Sequence, residues 1–171
     1  MSVYETIKNR GSIRRYEARP IPEAEMETIL DSARLAQSAA NRQPWEFIVV
    51  SDDANKRTLV SVAGHQRFVG EAAAVVVCMA DPGASASVGP FEGFLVDLAI
   101  ATENMVLTAW EIGIGSCWIG AFNEAGVKQL LGIPDNLRVV FLLTLGYSDE
   151  EPRPKRRKAL QEIVHRERYG G

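Results

Sequence analysis

The sequence predicts a mixed fold in which helices alternate with three or four strands, and three observations carry that expectation. Apolar residues recur at helical spacing from Phe91 to Ala109, the pattern of a long buried helix. Ala72–Met79 is nearly all apolar and Leu137–Leu145 is a second strong β run; the first reads as a strand covered on both faces. Between these segments, Gly, Pro, Ser and Asp fall where helices start and stop. With 171 residues and 46% hydrophobic composition, the chain can bury one substantial core. A single domain over residues 1–171 is therefore expected.

The elements follow in order. Val3, Tyr4 and Ile7 give a short first helix over residues 2–9. Pro22-Glu23-Ala24-Glu25 opens a second with Pro early and acids in the first turn; Met26, Ile29, Leu30, Ala33 and Ala36 form its apolar face. Trp45–Val50 is a short strand, and Ser51-Asp52-Asp53 caps a helix running to about Val62. After the Ala72–Met79 strand comes a Gly/Ser/Ala/Pro loop over Asp81–Pro90, then the long helix, halted by Gly113 and Gly115. Ser116–Ile119 reads as a brief strand, and a helix over Glu124–Leu131 closes at Gly132 with Pro134 beyond. The last β run precedes a polar, proline-punctuated tail with one weak helix over Ala159–His165. These patterns do not fix strand order.

Composition excludes several classes. Net charge is −3, so no overall field recruits nucleic acid or an anionic membrane. Cys78 and Cys117 lie in apolar runs as small hydrophobes, with neither a disulfide framework nor metal spacing. The start of the chain lacks a secretion signal, and no stretch has the length of a membrane span. A cytoplasmic protein without metal is expected. No Ser–His–Asp, HExxH, Walker or paired-carboxylate pattern is present, so hydrolase chemistry has no visible equipment. Trp45, Trp110 and Trp118 have apolar neighbours and read as core.

Three groups of residues carry chemistry. Arg10-Gly11-Ser12-Ile13-Arg14 sets two guanidiniums and a hydroxyl within five residues. Alone it is either a solvated turn or an anion site, and Lys155 and Arg157 in the basic tail have the same two readings. Ser38-Ala39-Ala40-Asn41-Arg42-Gln43-Pro44-Trp45 combines small residues with amides, which suits close approach of a planar polar ligand. Gly113-Ile114-Gly115 is not a dinucleotide motif, because Trp118 stands where its third Gly belongs and the segment runs from helix into strand. The small residues Gly120 and Ala121 instead leave their backbone N–H groups open to a ligand ring.

In this order and spacing the pieces resemble the FMN-dependent nitroreductase family, in its compact form. The likeness runs through Arg10-x-Ser12-x-Arg14, Ser38-x-x-Asn41-x-Gln43-Pro44-Trp45, Gln66, Asp97-x-x-x-Ala101-x-x-Asn104, Gly113-Ile114-Gly115-Ser116, Leu131-Gly132-Ile133-Pro134, Leu145-Gly146-Tyr147 and Pro154-Lys155-x-Arg157. The resemblance implies an α+β fold of three layers, α-β-α, with a central mixed, mainly antiparallel sheet and an intertwined homodimer. It implies FMN at the dimer interface, with NADH or NADPH as co-substrate and nitroaromatics, quinones or a specific metabolite as acceptor. Arg10, Ser12, Arg14, Lys155 and Arg157 would hold the phosphate. Ser38, Ala39 and Asn41 would line the flavin, from either subunit. Gln66 would address the pyrimidine edge, and the backbone at Ile119, Gly120 and Ala121 would face the central ring. No side chain is nominated as catalytic. Phe91, Phe94 and Trp118 are the aromatics expected beside a flat acceptor. This chain departs from the pattern at Gln37, at Ala72-Ala73, at Gly120 in place of an acid, and in its short 81–90 loop.

Overall fold

The computed structural model describes residues 2–86, 89–152 and 155–171. Ser87 and Val88 of the expected loop, and Arg153 and Pro154 of the basic run, lie outside the described residues.

The expected helices form close to their sequence signals. Helix α1 (Val3–Asn9) starts at Ser2, whose hydroxyl accepts the Glu5 N–H. Helix α2 spans Glu23–Arg34 behind Pro22, and α3 spans Asp53–Val62 with the Asp52 side chain accepting from Asn55. A single turn, α4 (Phe68–Glu71), carries no periodicity to betray it. Helix α5 (Gly93–Glu111) is the long one, and α6 (Glu124–Leu131) stops at Gly132, whose φ of 66° is the left-handed conformation that glycine adopts without strain. The weak helix of the tail shrinks to one 3₁₀ turn, Leu160–Glu162. Leu160 and Ile163 stay exposed there, so no buried face extends the turn.

Strands β1 (Trp45–Val50), β2 (Ala74–Ala80), β3 (Gly115–Ile119) and β4 (Arg138–Gly146) form one sheet in the order β1-β2-β4-β3, every adjacent pair antiparallel. A parallel element enters through the bridge from Ser12 to Ser116, which adds the Ser12 segment to the β3 edge. Strand β2 is buried on both faces, as its apolar run requires.

Side-chain alternation divides the interior into two. Ala74, Val76, Cys78 and Ala80 face α2 and α5, with Leu98, Met105, Leu143 and Leu145. Val75, Val77 and Met79 face the opposite side, with Leu59, Val69, Val127 and Leu142 from α3, α4, α6 and β4. The result is the α-β-α sandwich. A bulge at Val140 keeps both layers filled: Cys78 pairs with Phe141 but Met79 pairs with Val139. Val140 and Phe141 therefore share the α5 face, while Val139 joins the other.

Both thiols are buried, and burial pushes Cys78 up to about 12, so it stays a neutral hydrophobe. Trp45 and Trp118 pack half-buried against the α5-side core, and Trp118 meets Phe141 edge-on at 4.6 Å. The Lys56 ammonium is buried where it donates to the Ala72 carbonyl at 2.7 Å and pairs with Asp53 at 3.0 Å, binding α3 to the entry of β2. Among the described residues no helix is long and apolar enough to cross a membrane.

Candidate functional site

The spacing Arg10-x-Ser12-x-Arg14 acquires a physical meaning from its backbone. Beyond α1 the chain runs extended, and the Ile13 N–H donates to the Ser116 carbonyl at 2.9 Å. Ile13 is buried, packing so closely on Gly115 that a Cβ there would lie 2.7 Å from its side chain. Ser12 and Arg14, one residue either side, project outward. The Arg14 N–H is fixed by the Glu150 carboxylate at 3.1 Å, and its guanidinium reaches to 6.0 Å from the Phe68 ring. Below this segment, Tyr16 places its hydroxyl 2.9 Å from the Ile13 carbonyl and 2.7 Å from Thr144. Desolvation raises the Tyr16 phenol well above its usual range, so it acts as a neutral strut.

The C-terminal cations come to the same place. Lys155 donates to the carbonyls of Lys8 at 2.8 Å and Ile7 at 3.4 Å, at the exposed carbonyl end of α1. Burial first, then the charges of Arg10 and Arg157, hold its amine below the ordinary lysine range. Lys155 thus lies within reach of both the Arg10 and the Arg157 charge. On the other side of Arg10 stands Glu103 of α5, 3.6 Å from Nε. That is an ion pair without a hydrogen bond, and among the described residues the buried Nε–H has no hydrogen-bond partner. Burial raises the Glu103 carboxyl and Arg10 opposes the rise.

The strand end and the turn after α3 also meet. Gln66 donates to the Ala63 carbonyl at 2.9 Å and lies 3.5 Å from the Ala121 carbonyl. Ile119 is buried, whereas Gly120 and Ala121 are exposed. A Cβ built on Gly120 meets nothing within 4 Å. Among the described residues, nothing in the packing demands glycine there.

Ser38, Ala39 and Asn41 stand elsewhere, on the lead-in to β1, with β2 and β4 between them and β3. That is a sheet width of about 14 Å. Their turn is tense: Ala40 and Asn41 both have φ of 52° and Gln43 has 50°. Left-handed conformations of this kind cost on the order of 1–3 kcal/mol apiece, least for Asn. Ser38 Oγ accepts the Gln43 N–H at 2.9 Å, and the Gln43 amide donates to Asn41. The Ala39 N–H donates to Asp97 of α5 at 3.0 Å.

The acceptor-flanking aromatics need one correction. Phe94 is 3% exposed in the α5-side core and cannot face a ligand, because its spacing sets it on the buried face with Leu98 and Met105. Phe91 is 67% exposed. Two residues whose roles the spacing did not reveal now have partners: Asp97 holds the strained turn, and Asn104 donates to the Ser32 carbonyl at 3.0 Å, joining α5 to α2. The available signal was polarity on an otherwise apolar helix. Among the described residues no cluster of His, Cys, Asp and Glu could hold a metal.

An antiparallel sheet lies between helical layers, with a cationic corner at one edge and a tense small-residue turn at the other; residues 7–147 match the Nitroreductase family model, and the chain belongs to that family of oxidoreductases. A nitroreductase family protein from Clostridium novyi NT superposes with a TM-score of 0.84 at 39% identity, covering 91% of this chain and 89% of that one. The NADPH:FMN oxidoreductase of Vibrio harveyi, solved with NAD+, gives 0.89 at 30% identity over 99% of this chain and 78% of its own. An FMN reductase (NADPH) of Bacillus subtilis (strain 168) is 30% identical over 182 residues, covering 96% of this chain and 73% of the relative. Lys155 and Arg157 lie beyond the family match; their place beside Arg10 comes from the fold.

Proposed function

We propose that this chain is a homodimeric flavoenzyme that holds FMN between its subunits and reduces oxidised aromatic acceptors, nitroaromatics or quinones, at the expense of NADH or NADPH. The observation that carries the reading is the seating of Lys155 on the Ile7 and Lys8 carbonyls, which brings the C-terminal cations back to the Arg10 end of α1, with the charges of Arg10 and Arg157 both acting on Lys155. Clustering like charges is unfavourable unless an anion completes the set. The donors suit a phosphate dianion: guanidiniums that can bind two oxygens at once, an ammonium, and the Ser12 hydroxyl. The open space at Gly120 fits a flat ring laid against the backbone.

The bound flavin would supply the redox chemistry, accepting a hydride from the nucleotide and passing electrons to the acceptor. The protein's share is positioning. Arg10, Ser12, Arg14, Lys155 and Arg157 anchor the phosphate. Gln66 presents an amide to the polar edge of the ring, and the Gly120 and Ala121 backbone offers N–H donors where negative charge develops, so no acidic or basic side chain is required. Ser38, Ala39 and Asn41 would reach the same ring from the second subunit. Two features favour a dimer: the sheet separates the turn from the other site residues, and the large apolar side chains Val3, Tyr4, Leu35, Leu160 and Ile163 are each exposed in the single chain.

Purified protein should be yellow with flavin absorbance, and anaerobic mixing with NADH or NADPH should bleach it. Bleached protein should recover its colour on addition of a nitroaromatic or quinone. A folded, colourless sample that ignores micromolar FMN would overturn the proposal; a yellow sample bleached by neither nucleotide would leave only a flavin binder.

A further inference from the structure

The buried face of α5 is apolar through Phe94, Leu98, Ala101, Met105 and Ala109, yet Asp97 is only 2% exposed among them. A buried carboxyl group is costly unless its polar atoms are satisfied, and here they are only half satisfied. Oδ1 accepts the Ala39 N–H at 3.0 Å, while Oδ2 is buried without a hydrogen-bond partner among the described residues. Among those residues Asp97 also forms no ion pair within 4.0 Å.

The other side of that one bond explains its placement. The Ser38–Gln43 turn closes mainly on itself: Asn41 N–H to the Ser38 carbonyl, Arg42 N–H to the Ala39 carbonyl, Gln43 N–H to Ser38 Oγ. Those local bonds can move with the turn as a unit. The bond from Ala39 to Asp97 spans 58 positions and fixes the turn to the helix. Three residues within the turn have positive φ without being glycine, so the chain has reason to relax once the anchor is cut.

We infer that Asp97 is a positioning residue: it holds the strained Ser38–Gln43 turn in the shape that presents Ser38, Ala39 and Asn41 to the flavin, an inference that rests on the flavin reading for its functional half. Asp97 itself lies behind the turn and touches it through Ala39. The stability of the buried face is compromised by an acid there, and the return is a fixed ligand-facing turn.

The test compares wild type, Asp97→Ala, Asp97→Asn and Asn104→Ala. The last cuts the α5–α2 tie at Ser32 and serves as a control for general loosening. Amide hydrogen exchange in flavin-free protein reads the turn directly. Exchange at Ala39 is expected to be at least tenfold faster in Asp97→Ala, partly restored in Asp97→Asn, whose side-chain oxygen can still accept, and unchanged in Asn104→Ala. FMN affinity should follow the same order, about tenfold weaker in Asp97→Ala. Wild-type exchange rates at Ala39 in Asp97→Ala, or equal acceleration in the Asn104→Ala control, would overturn the inference. Should Asp97→Ala not fold, Asp97→Leu, which keeps the bulk but cannot accept a hydrogen bond, takes its place: exchange at Ala39 no faster than wild type sinks the proposal. Wild-type protein that takes up no FMN, yet shows the expected exchange pattern, would reject the flavin reading while leaving the turn anchor standing.

Discussion

Replacing Lys155 by Met keeps the aliphatic stem and removes only the ammonium. Two of its three N–H groups are directed at the Lys8 and Ile7 carbonyls, leaving one for a phosphate oxygen. A charge-assisted hydrogen bond contributes about 1.5–3 kcal/mol, so the FMN dissociation constant should rise roughly ten- to hundredfold. The α1 carbonyls lose a donor too, but that cost falls on the fold and should affect every ligand alike. Riboflavin, which lacks the phosphate, separates the two effects. In wild type FMN should bind far more tightly than riboflavin; in Lys155→Met that preference should narrow by the full factor, with riboflavin affinity nearly unchanged. Fluorescence quenching of both flavins measures all four constants. An unaltered FMN-to-riboflavin ratio would refute the assignment of Lys155 to the phosphate. The pH dependence has a defined sign. Burial, Arg10 and Arg157 hold the folded-state pKa below the ordinary 10.5, so the flavin-free fold binds this proton less readily than the unfolded chain. Lys155 therefore detracts from stability below the folded value, and the penalty is relieved as pH rises through that value towards 10.5.

Other outcomes follow from the same geometry. Gly115→Ala would drive a Cβ to 2.7 Å from Ile13; it should cost about 1–3 kcal/mol in urea unfolding and weaken FMN binding by displacing Ser12 and Arg14. Glu124 accepts from Arg138 at 2.9 and 3.2 Å and from the Val139 N–H at 3.0 Å, contacts that hold its carboxyl below the usual range. Glu124→Gln should therefore lose about 1 kcal/mol at neutral pH, a modest figure because Arg138 is half exposed. The difference should vanish as pH falls through the depressed folded value, when wild type loses the same contribution. Co-expressing an Arg14→Ala/Lys155→Met chain with a Ser38→Arg chain should restore about a quarter of the sites if each site draws on two subunits, since half of randomly paired dimers carry one intact site. Recovery of no flavin binding in the mixture would show that each chain builds its site alone.

Helix α5 was legible because its apolar period persists through Leu98, Met105 and Ala109, and Gly132 marked the end of α6 by its own conformational preference. Both signals are local. Strand order was not legible, since pairing Ala74 with Leu145 or Trp45 with Ala80 joins distant segments that no short-range pattern links. The cationic corner could be proposed from residue types alone; that Lys155 reaches the carbonyls of Ile7 and Lys8 depends on a return across the whole chain. The turn at Ala40 was hidden for a different reason. Alanine disfavours φ of 52°, so its local preference points away from the conformation observed. Asp97 could be seen as a misfit on an apolar helix, but not paired with Ala39, 58 residues earlier. Phe94 misled because an aromatic at helical spacing looks the same whether its face meets the sheet or a ligand.

The irregularity at Val140 has consequences for any alteration of β4's outer half. Upstream of it, Val139 is in phase with the α6 layer, and Glu124 grasps that position through Arg138 and the Val139 N–H. Excising Val140 would leave Val139 opposite Met79 and Phe141 opposite Cys78, each on its present face, and would remove one half-buried side chain from the α5-side core. Downstream, Leu142–Gly146 would keep its pairing with β3, and upstream Arg138 and Val139 would keep Glu124, so the loss would be confined to the α5-side packing of Val140 itself. A single surplus residue is thus absorbed without shifting the phase of either part of the strand.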